Sequence, residues 1–278
     1  YIRLLRMKHY IKNLLIFLPL FFGRALSDRN KLISAVLGFV AFSFLSSAVY
    51  IFNDRRDAES DRLHPTKRNR PIASGEISFG TARILFFACL AIALLLSVAI
   101  NSLWGGVCLL VYLLINMAYS LGWKNVPVLD VVLLASGFVL RVFYGGIITN
   151  IEISDWLYLV VISASLYLGL GKRRNELKNN SDQSRKVLQF YTVSFLEKNM
   201  YVCVALTNVF YALWALESGY LHMVWTVPLF MVLLLCYSLI TEGDSDGDPV
   251  EVVLHHPYLV VLGAGYALCM GWLLYLQG

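Results

Sequence analysis

The chain has 278 residues, 58% of them hydrophobic and only 15% charged, with a mean hydropathy of +0.66 and a formal net charge of +5. Soluble domains carry about 25% charged residues, so this composition excludes a water-soluble globular protein. Apolar runs of about twenty residues recur along the chain and mark membrane-spanning helices, and the positive excess then points to lipid surfaces and anionic substrates, not to nucleic acid.

In chain order, about nine spans are predicted: 13–27, 31–53, 79–100, 102–120, 127–148, 154–171, 200–218, 223–241 and 257–276. The first is short and carries Pro19. The expected class is therefore an all-α polytopic membrane protein, with one domain over residues 1–278. Residues Tyr1–Lys12 lead straight into a span, so no cleavable leader is expected, and the missing initiator Met suggests a few residues upstream. The cysteines at 89, 108, 203, 236 and 269 all fall in apolar segments and are expected to pack as small hydrophobes.

Charge fixes the expected orientation. Four Lys/Arg precede the first span, six lie in 54–78, one in 121–126 and seven in 172–199, whereas the opposite face holds only Arg24, Arg29 and Lys31. The N-terminus and the polar loops are thus expected on the cytoplasmic side of a bacterial inner or plasma membrane. Polar residues gathered in a cap differ from those of a transporter, which are spread along a path across the bilayer.

Four stretches of that cap carry chemistry. Asn53, Asp54, Asp57 and Asp61 follow the second span at helical spacing, so the carboxylates share one face if the helix continues. Like charges so placed repel, and a Mg²⁺ ion held by Asp54, Asp57 and Asp61 relieves the repulsion, since Mg²⁺ binds through a few carboxylates plus substrate phosphates. The second stretch, HPTKRNRP at 64–71, has Pro65 and Pro71 around Lys67, Arg68 and Arg70; it reads as a phosphate site or as a solvated loop drawn to anionic lipid. The third, YSLGWKNVPVLD at 119–130, supplies Tyr119, Lys124 and an Asp130 just inside the next span. The last, GKRRNELK at 171–178, holds Lys172 and Arg173, and such a run is equally a topology signal. Arg141, in mid-span, needs a buried anion, either Asp130 or a substrate phosphate. The acidic loop 242–257 lacks the full spacing of a calcium-binding loop.

The run Asn53-Asp54-Arg55-Arg56-Asp57-Ala58-Glu59-Ser60-Asp61, followed by HPTKRNRPIASG, resembles the first aspartate-rich motif of the UbiA superfamily of intramembrane prenyltransferases. The resemblance covers essentially the whole chain. The aromatic prenyltransferases of that superfamily have a second DxxxD motif, whereas here Asp130 is followed at the fourth position by Leu134. With RMKHYIKNLLIFLPLFF, YSLGWKNVPVLD and GKRRNEL, the pattern is instead similar to the decaprenyl-phosphate phosphoribosyltransferase branch. That branch moves phosphoribosyl from 5-phosphoribosyl 1-diphosphate (PRPP) to a polyprenyl phosphate with Mg²⁺, and in actinobacteria it feeds the cell wall.

The resemblance implies Asp54, Asp57, Asp61 and Asp130 as catalytic residues, the first three on metal and Asp130 on a second metal or the ribose hydroxyls. It further implies Asn53, Lys67, Arg68, Arg70, Tyr119, Lys124, Arg141, Lys172 and Arg173 around the substrate, with Lys8 and Lys12 on the lipid phosphate. PRPP, polyprenyl phosphate and membrane lipid are the expected partners, and a homo-oligomer is left open. Transfer of a polyprenyl group to an aromatic acceptor is the alternative chemistry, and a lipid-phosphate flippase without chemistry the alternative class.

Overall fold

The computed structural model describes residues 1–64, 67–179, 185–243 and 247–276. Pro65 of the basic segment and Asp244 and Asp246 of the acidic loop lie outside the described residues. Among the described residues twelve α-helices follow one another: α1 Ile2–Leu5, α2 Leu18–Phe22, α3 Arg29–Arg56, α4 Ala58–Leu63, α5 Phe79–Ile100, α6 Leu103–Leu121, α7 Leu129–Thr149, α8 Asp155–Lys178, α9 Val193–Glu217, α10 Thr226–Glu242, α11 Pro249–His255 and α12 Pro257–Tyr275. No strand occurs among the described residues. The chain forms two compact units, one of residues 1–122 with 140–152, the other of 123–139 with 153–278.

Among the described residues, seven helices are long and apolar enough to cross a membrane: α3, α5, α6, α7, α9, α10 with the turn before it, and α12. The expected first span, 13–27, is instead the end of an eleven-residue 3₁₀ stretch, Met7–Phe17, followed by the five-residue α2. A 3₁₀ turn has poorer hydrogen-bond geometry than an α-turn and is seldom sustained, and this one is held by side chains from its neighbours. The expected sixth span lies in α8, whose last two turns carry Lys172, Arg173 and Arg174.

In the first unit α3 is the central mast. More than half of its apolar window is buried, against 11% for α5. Its inward positions are mostly small, with Ala35, Gly38, Ala41, Ser43, Ser46, Ser47 and Ala48 all buried, which lets neighbouring backbones approach closely. Leu94, Leu95 and Val98 of α5 are more than 60% exposed, as suits a surface facing lipid. Asp28 caps α3 by accepting from the Asn30 and Lys31 N–H groups. Gly145 of α7 marks the tightest approach: a Cβ there would sit 2.1 Å from the Ile16 carbonyl oxygen of the 3₁₀ stretch.

The second unit is built on the hairpin of α8 and α9, with Val131, Tyr167, Leu170, Val187, Tyr191, Leu196 and Met200 in one core. Ser154 and Thr192 cap the two helices by accepting from Leu157 and Phe195 N–H.

Candidate active site

The aspartates lie where the mast ends. Helix α3 stops at Arg56, and Asp57 (φ −87°, ψ 3°) separates it from α4. The expected unbroken helical face is therefore interrupted at Asp57. Hydrogen bonds from Asp57 N–H to Asn53 O (2.9 Å) and from Asp61 N–H to Asp57 O (2.8 Å) carry the turn across the break. Asp54 and Asp61 point inward and are 2% and 4% exposed, while Asp57 is half-buried.

The cation among these carboxylates is an arginine. Arg70 Nη1 donates to Asp61 Oδ2 at 2.7 Å and to Asp54 Oδ1 at 3.2 Å, and Arg6 Nη2 donates to the same Asp54 oxygen at 2.6 Å. Arg6 adopts a left-handed backbone (φ 51°, ψ 46°) that joins α1 to the 3₁₀ stretch, a conformation rare for a non-glycine residue. Its guanidinium also lies over the Tyr50 ring, 4.8 Å from the centroid. Farther along, Tyr10 OH and Ser47 Oγ are 2.8 Å apart, and Ser47 Oγ donates to Leu5 O, which fastens the N-terminal segment to the mast. Ser120 donates a short hydrogen bond to Asn53 Oδ1.

Beside Asp54 and Arg70 opens a cavity of about 470 Å³, lined by Arg3, Arg6, Lys8, His9, Lys67 and Arg70, with Asp54 its one carboxylate among the described residues. Lys8, Lys67 and Arg70, expected at the substrate, are thus brought together, while Arg68 is exposed and Lys12, Tyr119 and Lys124 are half-buried outside the lining. Such a wall suits a multiply charged anion.

A metal can be weighed against this donor set. Among the described residues, no group of three or more His, Cys, Asp or Glu side chains gathers as a ready cage. Asp54 and Asp61 nevertheless direct hard oxygens at one cationic atom, the Arg70 nitrogen. Mg²⁺ keeps several waters and takes one or two carboxylates plus substrate phosphates. The two buried aspartates fit that requirement as a partial site that an anionic substrate completes.

In the second unit Asp130 is fully buried in the first turn of α7. Arg173 Nε donates to its Oδ2 at 2.5 Å and Tyr191 OH to its Oδ1 at 2.5 Å. Tyr191 also accepts from Val128 N–H at 2.6 Å, a residue at φ 67°. Burial, with the hydrogen bond to Asp130, pushes the Tyr191 phenol up to about 12, so it remains a donor at neutral pH. Arg173 further bonds Glu176 at 2.5 Å, and Arg185 lies 3.4 Å from the same carboxylate. Burial alone pushes Glu176 up, but the charges of Arg173, Arg185 and Lys172 outweigh it and hold the carboxyl below its usual range. Lys172 pairs with Asp248 at 3.4 Å.

Arg141 of α7 is buried in the first unit. Its Nε donates to Asn13 Oδ1 at 2.7 Å and its Nη2 to Tyr112 OH at 3.3 Å, and the guanidinium lies over Phe42, 4.7 Å from the ring centroid.

Arg3, Arg6, Tyr191 and Glu176 were not foreseen as site residues. Arg6 and Asp54 are 48 positions apart, and no spacing rule links them. The only local trace is that Arg3, Arg6, Lys8 and His9 form a basic run ahead of an apolar one.

With this geometry in view, comparison with known proteins gives a consistent picture. A curated decaprenyl-phosphate phosphoribosyltransferase of Corynebacterium glutamicum is 34% identical, the match covering 99% of this chain and 87% of that protein. The protein of the same name from Mycobacterium tuberculosis is 31% identical over 97% of this chain and 92% of its own length. Among solved structures, a UbiA homologue from Archaeoglobus fulgidus bound to GPP and Mg²⁺ has the same fold, with a TM-score of 0.77 at 24% identity, covering 99% of this chain and 98% of that one. The profile of the UbiA prenyltransferase family matches residues 16–256, and this integral membrane protein belongs to that family.

Proposed function

We propose that the protein transfers 5-phosphoribosyl from PRPP to a polyprenyl phosphate of the decaprenyl type and releases diphosphate. The observation that carries this reading is the basic cavity beside Asp54, where the described residues present five Lys and Arg side chains and His9 against one carboxylate. An allylic prenyl diphosphate has a single charged end, whereas PRPP has a diphosphate and a 5-phosphate, so a wall this basic favours the sugar donor. The names of the relatives from Corynebacterium and Mycobacterium support the same choice.

In this reading Asp54 and Asp61 hold a divalent cation, Mg²⁺, with Asp57 beside them and Asn53 steadied by Ser120. When bound, the cation supplies charge neutralisation to the leaving diphosphate. Arg3, Arg6, Lys67 and Arg70 bind the donor's phosphates, and Lys8, with Lys12 nearby in sequence, takes the lipid phosphate. Arg68, Tyr119 and Lys124 remain further candidates for the donor. The bond from the anomeric carbon to the diphosphate breaks, the carbon gains oxocarbenium character, and an oxygen of the lipid phosphate closes on it. That oxygen is anionic at neutral pH, so no general base is needed, and positioning with electrostatics carries the rate.

Asp130, Arg173, Lys172 and Arg141, each bonded within the protein, act through the elements they fasten. Both compact units serve one catalytic domain, with the N-terminus and the basic cavity on the cytoplasmic side, where a water-soluble donor is available.

The test is a paired assay on purified protein in detergent with Mg²⁺. One arm offers labelled PRPP with a polyprenyl phosphate, the other a labelled polyprenyl diphosphate with 4-hydroxybenzoate. A lipid-soluble phosphoribosyl product in the first arm alone is expected. Product in the second arm alone returns the chain to aromatic prenyl transfer, and product in neither overturns both chemistries.

A further inference from the structure

Arg70 and a divalent cation need the same two oxygens. Asp54 Oδ1 and Asp61 Oδ2 converge on Arg70 Nη1, at 3.2 and 2.7 Å, and Arg6 takes the Asp54 oxygen as well. The group is balanced, with two carboxylates against two guanidiniums. Both carboxylates are almost fully buried, so an added charge there is poorly screened by solvent. A divalent ion entering by itself leaves an excess of two positive charges. A diphosphate arriving with it brings three to four negative charges and cancels that excess.

The arginines are also placed to leave. The side chains of Arg6 and Arg70 are 23% and 28% exposed and both line the basic cavity. A side chain so placed has room to turn toward the cavity about its own bonds. The contrast is Arg173, whose side chain is 0% exposed and has no such route. A guanidinium that trades a carboxylate oxygen for a phosphate oxygen keeps a charge-assisted hydrogen bond, because both anions suit its planar fork.

We infer that Arg70, with Arg6, competes with the divalent cation for Asp54 and Asp61, and that the diphosphate resolves the competition by receiving the displaced guanidiniums. The inference rests on the proposed metal-dependent reading and adds to it a coupling. Metal and diphosphate load together and each binds poorly alone. Arg6 thereby becomes a substrate-binding residue that also sets the metal affinity. The coupling keeps the cation off the carboxylates until a substrate able to use it has arrived.

The test is Mn²⁺ titration followed by electron paramagnetic resonance on purified protein in detergent, with and without diphosphate and corrected for Mn²⁺ held by diphosphate in solution. Wild type is expected to bind Mn²⁺ weakly alone and at least tenfold more tightly with diphosphate. R70Q is expected to bind Mn²⁺ alone at least fivefold more tightly than wild type and to gain less from diphosphate; R6Q should shift the same way by a smaller factor. R70K, which retains the charge, should stay nearer wild type. Unchanged or weaker Mn²⁺ binding alone in both R70Q and R6Q, with wild-type thermal unfolding, overturns the coupling. D61N separates the two levels. If it loses Mn²⁺ while R70Q gains none, the coupling fails and the metal assignment stands. If D61N binds Mn²⁺ like wild type, the metal assignment and the coupling both fail.

Discussion

Asp61 has one guanidinium on its inner oxygen and Asp54 has two, and this difference sets what each substitution does. Asp61→Asn keeps the shape but removes a charge from the proposed cation site, and turnover should fall by about 10²- to 10³-fold, the usual loss when one electrostatic stabiliser is removed. Circular dichroism should show the variant folded. Arg173 has the opposite character. It is fully buried and bonded to Asp130 and Glu176, so Arg173→Met should destabilise the second unit by about 3–5 kcal/mol by leaving the buried Asp130 carboxylate without its cation. Adding Asp130→Asn should recover part of that loss, and thermal unfolding in detergent reads both. Glu176 gives a pH signature. Its folded-state pKa lies below the ordinary 4.5, so the stability it contributes is present above pH 4.5 and is lost as pH falls through the folded value. An acid titration of wild type and Glu176→Gln should diverge there, with wild type losing more.

At the level of elements, most of the α-helical spans could be read from sequence because lipid imposes one simple demand: about twenty apolar residues with every backbone group bonded internally. Helices α3, α5, α6, α7, α9 and α12 follow that rule. The N-terminal stretch escaped it, because Met7–Phe17 satisfies its backbone as 3₁₀ turns and is held by Tyr10, Asn13 and Gly145, none of which marks the sequence as a whole. The break at Asp57 was equally hidden. Nothing in NDRRDAESD signals a stop, and the charges on either side of the break are satisfied by Arg6 and Arg70 from elsewhere in the chain. Element-scale substitutions should report these joints. Gly145→Ala drives a methyl into the Ile16 carbonyl and should loosen residues 7–17, seen as faster proteolysis there while α8 and α9 stay protected. Asp28→Ala removes the cap of the mast and should cost about 1 kcal/mol.

For the whole molecule, composition was enough to indicate an integral membrane protein, because it is a sum over the chain. The site itself was legible in its residue types but not in its pairings. The aspartate motif and the basic segment were evident, yet which cation meets which anion depends on contacts over 48 residues, as in Arg6 with Asp54. In the proposed reading the basic cavity makes binding of the charged donor a field effect. Raising the ionic strength from about 0.05 to 0.5 M shortens the Debye length roughly threefold, and the KM for PRPP should rise several-fold while that for the lipid acceptor changes little. Arg141 has a consequence of another kind. It bonds Asn13, made 128 residues earlier, so at ribosomal rates the N-terminal segment waits on the order of ten seconds for its partner to be synthesised. This stretch, made early, is therefore among the last pieces of its unit to be finished, and until then Asn13 and Ser43 of α3 wait for the guanidinium that completes their network.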